Sequence, residues 1–320
     1  MSAPALEALD WLRFDPRDGE IVRDPPGRGY GYWAGGHKAF RDPETDQVVL
    51  FYREREPLEL GRGGRCAIAV SDDGVVFEDI WSADKAAFAA NSIEVGHCVR
   101  DPSGEWRLYV SYEYAGAGYW RIDLMCAASL DAFDVQGRRT VFMPFDYGMR
   151  SLKDPVVCLR DGKYWIYVAG ASRARPREDT LENDAAVRAS GREATLLAVS
   201  DDGIYFPELH FAFEAPDTDT WNGRRARINS VIPLDGGYLG FYDGGRTSYD
   251  MYEEWCGLAW SDDGRWFERY DQPEPWVRSP HGCVRYVYAL DGPDEVLFYY
   301  EYTREDGAHE LRVSRVAKPR

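Results

Sequence analysis

One phrase recurs along the chain and limits what it can fold into. Ser-Asp-Asp-Gly-x-x-aromatic stands at Ser71–Phe77 (SDDGVVF), Ser200–Phe206 (SDDGIYF) and Ser261–Phe267 (SDDGRWF), with a worn copy at Ser129–Phe133 (SLDAF) and a further Ser314 after LRV. The serines lie 58, 71, 61 and 53 residues apart, so five copies of a unit of about sixty residues follow one another. Each copy offers four short segments rich in β-branched and aromatic residues, separated by Gly or Asp turns. A second repeated feature is the hairpin Ser151–Gly170 (SLKDPVVCLRDGKYWIYVAG), matched earlier by Ile93–Glu113 (IEVGHCVRDPSGEWRLYVSYE). Counting seven residues back from the turn residues Asp161 and Asp101 sets Asp154 level with Glu94.

Five antiparallel four-strand sheets in tandem predict an all-β chain: a five-bladed β-propeller of four-stranded antiparallel blades. Residues 1–320 then form one domain, with blades at about 33–85, 90–145, 150–215, 224–275 and 278–320. The fifth copy runs out after three strands. Its fourth is expected from the N-terminal arm, residues 1–32, around Glu20–Asp24.

With 44% hydrophobic residues the chain can bury a large core. Its formal charge of −17 repels nucleic acid and anionic membranes. No run has the length of a membrane span, and the start, MSAPALEALDWLRFDPRDGE, lacks the basic-then-apolar pattern of a signal peptide, so a cytoplasmic protein is expected. The six cysteines sit inside strand patterns without disulfide-framework or zinc-ligand spacing, and read as packing residues.

In a propeller the SDDG turns fall on one face, where Ser and Asp bond the turn backbone and Gly takes the positive φ. Chemistry belongs to the other face. There the inner strands begin at Gly35, Glu94, Asp154, about Asn229 and about Arg285, near His37, His97, Arg150, Arg227, Arg278 and His281. The second strands end at the same mouth with Glu113, Asp243 and Glu301, and Trp33, Trp221 and Trp276 stand ready to stack on a sugar ring. Glu94 as proton donor and Asp154 as its electrostatic partner, with Asp243, Glu113 or Glu301 as base, suit acid–base cleavage of a glycosidic bond. Their separation would set the outcome: about 5 Å for retention, roughly 6.5–9.5 Å for inversion. Arg227 and Asn229 would bond sugar hydroxyls or an acidic group.

Two other readings use the same residues. No cofactor is required for acid–base cleavage, but His37, His97 and His281 with Glu94 or Asp154 can hold a divalent metal at the axis, although His37 and His97 differ by one residue in register. Arg150, Arg227 and Arg278 can fork onto a carboxylate or phosphate, which makes an anionic sugar a candidate ligand for an enzyme or for a non-catalytic binding propeller. The insertion from Ser172 to Thr195 reads as a short helix or lid over the pocket.

The five-bladed organisation, the KDPVVCLRDGKYWIYV hairpin and the SDDG phrases resemble the arabinanase, β-xylosidase and invertase superfamily of glycoside hydrolases. The resemblance implies a small furanoside or pyranoside bound with its reacting sugar at the axis. It also implies a pKa-tuning Asp at the Asp-Pro position, Asp154, and an acid in the Glu-x-x-His phrase, Glu94 with His97. The chain departs from that pattern at Gly35, where the base would stand, at Asn229, and in the order of Glu94 and Asp154.

Overall fold

The computed structural model describes residues 3–171, 193–247 and 254–319. Among them, helix is confined to four 3-10 turns, Leu6–Leu12, Leu58–Leu60, Val135–Gly137 and Pro144–Tyr147. Everything else of regular structure is strand, starting with β1 (Glu20–Arg23). A first antiparallel group follows: β2 (Trp33–Arg41), β3 (Val48–Arg55), β4 (Gly63–Ser71) and β5 (Glu78–Asp84). The second is β6 (Ala90–Arg100), β7 (Trp106–Tyr114), β8 (Trp120–Ala127) and β9 (Arg139–Phe142). The third is β10 (Ser151–Arg160), β11 (Lys163–Ala171), β12 (Glu193–Ser200) and β13 (His210–Glu214). The fourth is β14 (Arg227–Leu234), β15 (Gly237–Gly244), β16 (Trp255–Ser261) and β17 (Glu268–Arg269). In the last, β18 (Val284–Asp291), β19 (Glu295–Thr303) and β20 (His309–Ala317) are joined by β1, which pairs antiparallel with β20. Single parallel contacts at Trp255–Val284 and Trp33–His309 join the fourth, fifth and first groups edge to edge into one twelve-stranded sheet.

The second strands carry the strongest β-formers, as in WRLYVSYEY and EVLFYYEYT, and are buried along nearly their whole length. Both faces of such a strand must therefore be covered, and five apolar clusters do so. Val49, Phe51 and Ile68 meet Leu108, Val110 and Tyr112 between the first and second groups. Equivalent clusters lie between second and third, third and fourth, and fourth and fifth, the last of these also burying Leu9, Leu12 and Phe14 of the N-terminal arm. The fifth cluster packs Leu297, Tyr299 and Val313 against Val48, Leu50 and Ala67, which returns the cycle to the first group. The first strands likewise touch in a closed cycle, β2 to β6, β10, β14, β18 and back to β2.

Every first strand is interrupted at the same level by a bulge. The extra residues begin with Gly36, Glu94, Asp154, Asn229 and Tyr286. Glu94 and Asp154 are thus level, while the first and fifth positions are Gly36 and Tyr286, each one residue beyond the Gly35 and Arg285 expected from counting. The reason is strand length. From bulge to strand end there are six residues in β6 and β10, but five in β2, β14 and β18.

The SDDG turns are built as expected. Ser71 Oγ accepts from the Gly74 N–H at 2.9 Å and Asp73 from the N–H groups of Val75 and Val76 at 2.8 and 2.9 Å, with the same bonds at Ser200–Asp202. Gly74, Gly203 and Gly264 take φ values of 75°, 67° and 80°.

Candidate active site

The bulges turn side chains toward the centre of the cycle of first strands, where a buried cage of ion pairs forms. Its arginines come largely from strand ends. Arg227 faces Asp243 across β14–β15, and Arg285 faces Glu301 across β18–β19. Arg227 Nη2 lies 2.7 Å from Asp243 and 3.1 Å from Glu254, while Nη1 lies 3.1 Å from Asp154 Oδ2. Arg285 Nε donates to Glu301 at 2.7 Å, and Glu254 further accepts from Arg225 and Arg285. Arg53 binds Glu94 at 3.1 Å, and Arg62 binds Glu113 at 3.1 Å with Glu94 at 3.9 Å. Side-chain exposure rises from 0% at Asp243 and Glu301 to 13% at Glu193 and 15% at Lys153, so the cage opens on the Lys153 side.

Burial alone would raise the pKa of Glu94, but Arg53, Lys153, Arg55 and Arg62 outweigh it and hold the carboxyl at about 2. These cations favour the carboxylate form of Glu94, where a proton donor was expected. Glu301 is lowered too: burial is overcome by Arg285, His309 and Arg53. Its oxygens are fully engaged, with the Gly36 N–H at 2.7 Å and His309 Nδ1 at 3.2 Å besides the arginines. Asp243 accepts from Arg227 and, through both oxygens, from the Tyr286 N–H at 3.1 and 3.2 Å. Glu301 and Asp243 hold the cage together and have little capacity left for a base.

Asp154 differs. Its Oδ2 is bound by Arg227, with Lys153 3.8 Å away, but its buried Oδ1 has no hydrogen-bond partner among the described residues. Its backbone takes φ 56°, a strained value for a residue other than glycine. Asn229, at the same level, is buried with both ends of its amide unpartnered among the described residues. Lys38 Nζ is also buried without a hydrogen-bond partner there, between the rings of Tyr286 (5.8 Å) and Tyr288 (5.4 Å). Burial lowers its pKa to about 7 despite Asp154 and Asp243.

Several expected contacts lie elsewhere. Trp33 is buried beside the cage, but its ring is stacked on His309 (4.8 Å) and covered by Arg55 (4.1 Å) and Arg285 (4.4 Å), leaving no face for a sugar. Trp221 packs on Tyr242 in the core between third and fourth groups and donates to the Gln272 carbonyl at 2.9 Å. Trp276 is core between fourth and fifth groups, under the Arg13 guanidinium at 3.8 Å. Arg278 is exposed and paired with Glu274, and Arg150 is half-buried. His281 is exposed in a surface depression with Tyr302, Arg304 and Glu310, whereas His37 and His97 are buried. No group of three or more His, Cys, Asp or Glu suited to a metal ion occurs among the described residues. His97 instead pins the centre. Its Nδ1 accepts from the Val157 N–H at 2.9 Å, which leaves Nε2 to donate to the Ala39 carbonyl at 3.2 Å. His37 is enclosed beside Lys38 and edge-on to Tyr299.

Sequence reasoning missed Lys38, Arg53, Arg62, Arg225, Glu254, Tyr286 and His309. The alternating arginines of Tyr52–Arg55 (YRER), at the second-strand end equivalent to Glu301, were the available signal. Of the Ser172–Thr195 insertion, only Glu193, Ala194 and Thr195 are described, as the start of β12; the remainder lies outside the described residues.

No family model and no curated protein matches the chain. Solved structures do. A glycosyl hydrolase from Bacteroides ovatus is similar with a TM-score of 0.63 at 15% identity, over 98% of this chain and 95% of that one. A β-1,2-mannobiose phosphorylase from Listeria innocua gives 0.60 at 14%, over 95% and 96%. The β-xylosidase RS223 gives 0.63 at 11%, over 95% and 98%. The chain has the fold of propeller-type glycoside hydrolases and phosphorylases.

Proposed function

We propose that the chain is a five-bladed β-propeller and a carbohydrate-active enzyme of the glycoside hydrolase type, cleaving a small glycoside in its axial cage. Five clusters between successive sheet groups, the last returning to the first, support five blades. One observation carries the enzymatic reading: Asp154, a carboxylate on strained backbone with a buried oxygen unpartnered among the described residues, at the axis of a fold shared with glycosidases. Asp154 is the reacting carboxylate. Glu94, Asp243, Glu254 and Glu301 hold the arginines, and Asn229 meets sugar hydroxyls.

The test is a screen of aryl furanosides and pyranosides with wild type and Asp154→Asn. The variant should lose a hundredfold or more of the activity, about what an acid–base group contributes, while its melting temperature stays within a few degrees. Unchanged turnover by Asp154→Asn would remove Asp154 from the chemistry. Transfer to phosphate is a second reading, favoured by the buried Lys38 ammonium, which has no acceptor among the described residues. Turnover that depends on added inorganic phosphate would select it.

A further inference from the structure

Tyr286 fills in the fifth group the bulge position that Glu94 and Asp154 fill in the second and third. Its φ is 53°, beside 56° for Asp154. A bulky side chain keeps that conformation only where its surroundings enforce it. Here both oxygens of Asp243 grip its backbone N–H. The ring then lies under the guanidinium of Arg227 at 4.2 Å, with Arg285 at 5.2 Å and the Lys38 ammonium at 5.8 Å. Those cations come from the fourth, fifth and first groups. The hydroxyl also interacts electrostatically with Asp154 and Glu94, from the third and second. The ring thus lies among cage cations from three of the five groups.

A glycosidic oxygen that leaves as an alcohol must be given a proton. Glu94, Glu193 and Glu301 are each paired with an arginine, which favours their ionised forms, and the oxygens of Asp243 are taken. Resting on the glycosidase reading above, we propose that Tyr286 is a catalytic residue whose phenol protonates the glycosidic oxygen while Asp154 activates the attacking water. The bond from the anomeric carbon to the leaving oxygen breaks, and the phenol proton goes to that oxygen. The water oxygen bonds to the anomeric carbon and its proton goes to Asp154, from which it returns to the phenolate. One water is consumed, two hydroxyl products leave, and both side chains are restored. Burial raises the Tyr286 pKa, so the proton stays on through neutral pH. Arg227, Arg285 and Lys38 stabilise the transient phenolate.

The experiment compares wild type and Tyr286→Phe on two glycosides of one sugar. A dinitrophenyl glycoside releases a stable anion that needs no proton, whereas a methyl glycoside releases an oxygen that must be protonated. The variant should lose about a hundredfold or more on the methyl glycoside and stay within severalfold of wild type on the dinitrophenyl one. Equal losses on both, or no loss on either, overturn the assignment. Asp154→Asn, by contrast, should lose both. If Tyr286→Phe does not fold, protein made with fluorotyrosine answers instead. A more acidic phenol must move the alkaline limb of kcat/KM to lower pH, and an unmoved limb rejects the proposal. Failure of the glycosidase reading looks different, because the wild type then releases neither aglycone.

Discussion

A carboxylate surrounded by guanidinium groups is a brace before it is a reagent. Glu94 compensates two buried arginines from another group of strands, Arg53 and Arg62. Glu94→Gln keeps the shape and removes the charge, leaving those cations partly uncompensated. It should cost about 3–5 kcal/mol of stability, seen as a lower urea midpoint at unchanged slope. A variant as stable as wild type would contradict the brace. The level shared by Glu94 and Asp154 was legible in the spacing, because both bulges sit six residues before a strand end. Their different fates were not. The partner of Glu94 arrives from β3 and that of Asp154 from β14, and a count along one strand carries no information about either. Tyr286 escaped for a related reason: its strand is one residue shorter beyond the bulge, so counting stopped at Arg285.

At the scale of elements, the SDDG turns do more than end hairpins. The carbonyl of the turn glycine accepts a buried tyrosine hydroxyl from a neighbouring group, at 2.7 Å each time: Tyr109 to Gly203, Tyr167 to Gly264 and Tyr299 to Gly74. Each bond fastens a second strand to the turn of the next group round the cycle. The worn copy SLDAF lacks the glycine. Tyr167→Phe leaves the Gly264 carbonyl buried without its donor and should cost about 1–2 kcal/mol. Thermal melting of the single variant and of the triple Phe variant measures it, and roughly additive losses are expected because the three sites are far apart. The repeat, the strands and the structural duty of these turns were readable from the phrase itself, since the turn chemistry is local. The tyrosine fastenings are not local and were invisible. The same limit misplaced Trp221 and Trp276, which are large enough to serve a pocket or a core, and packing between groups decided for the core.

Across the whole molecule, acid stability follows from the centre. Burial lowers the pKa of His37 and His97 to about 3 and of His309 to about 4. All three are neutral when folded but take up protons in the unfolded chain below its ordinary value near 6.5. Their contribution is present above pH 6.5 and is lost as pH falls toward 4 and then 3. The slope approaches about 1.4 kcal/mol per pH unit for each histidine. Glu94 adds a loss of the same sign between about 4.5 and 2. Urea midpoints measured from pH 7 to pH 4 should fall steadily, and His97→Gln should flatten the fall; a flat wild-type profile would refute this account.

The cage has one more consequence. Its arginines and lysines nearly offset its carboxylates, so the formal charge of −17 belongs to the rest of the molecule. A visitor approaching from solution meets that outer negative cloud before it reaches the balanced interior. An uncharged sugar crosses it unhindered at any ionic strength. A uronate is held off until dissolved salt thins the cloud, although the arginines inside would receive it well.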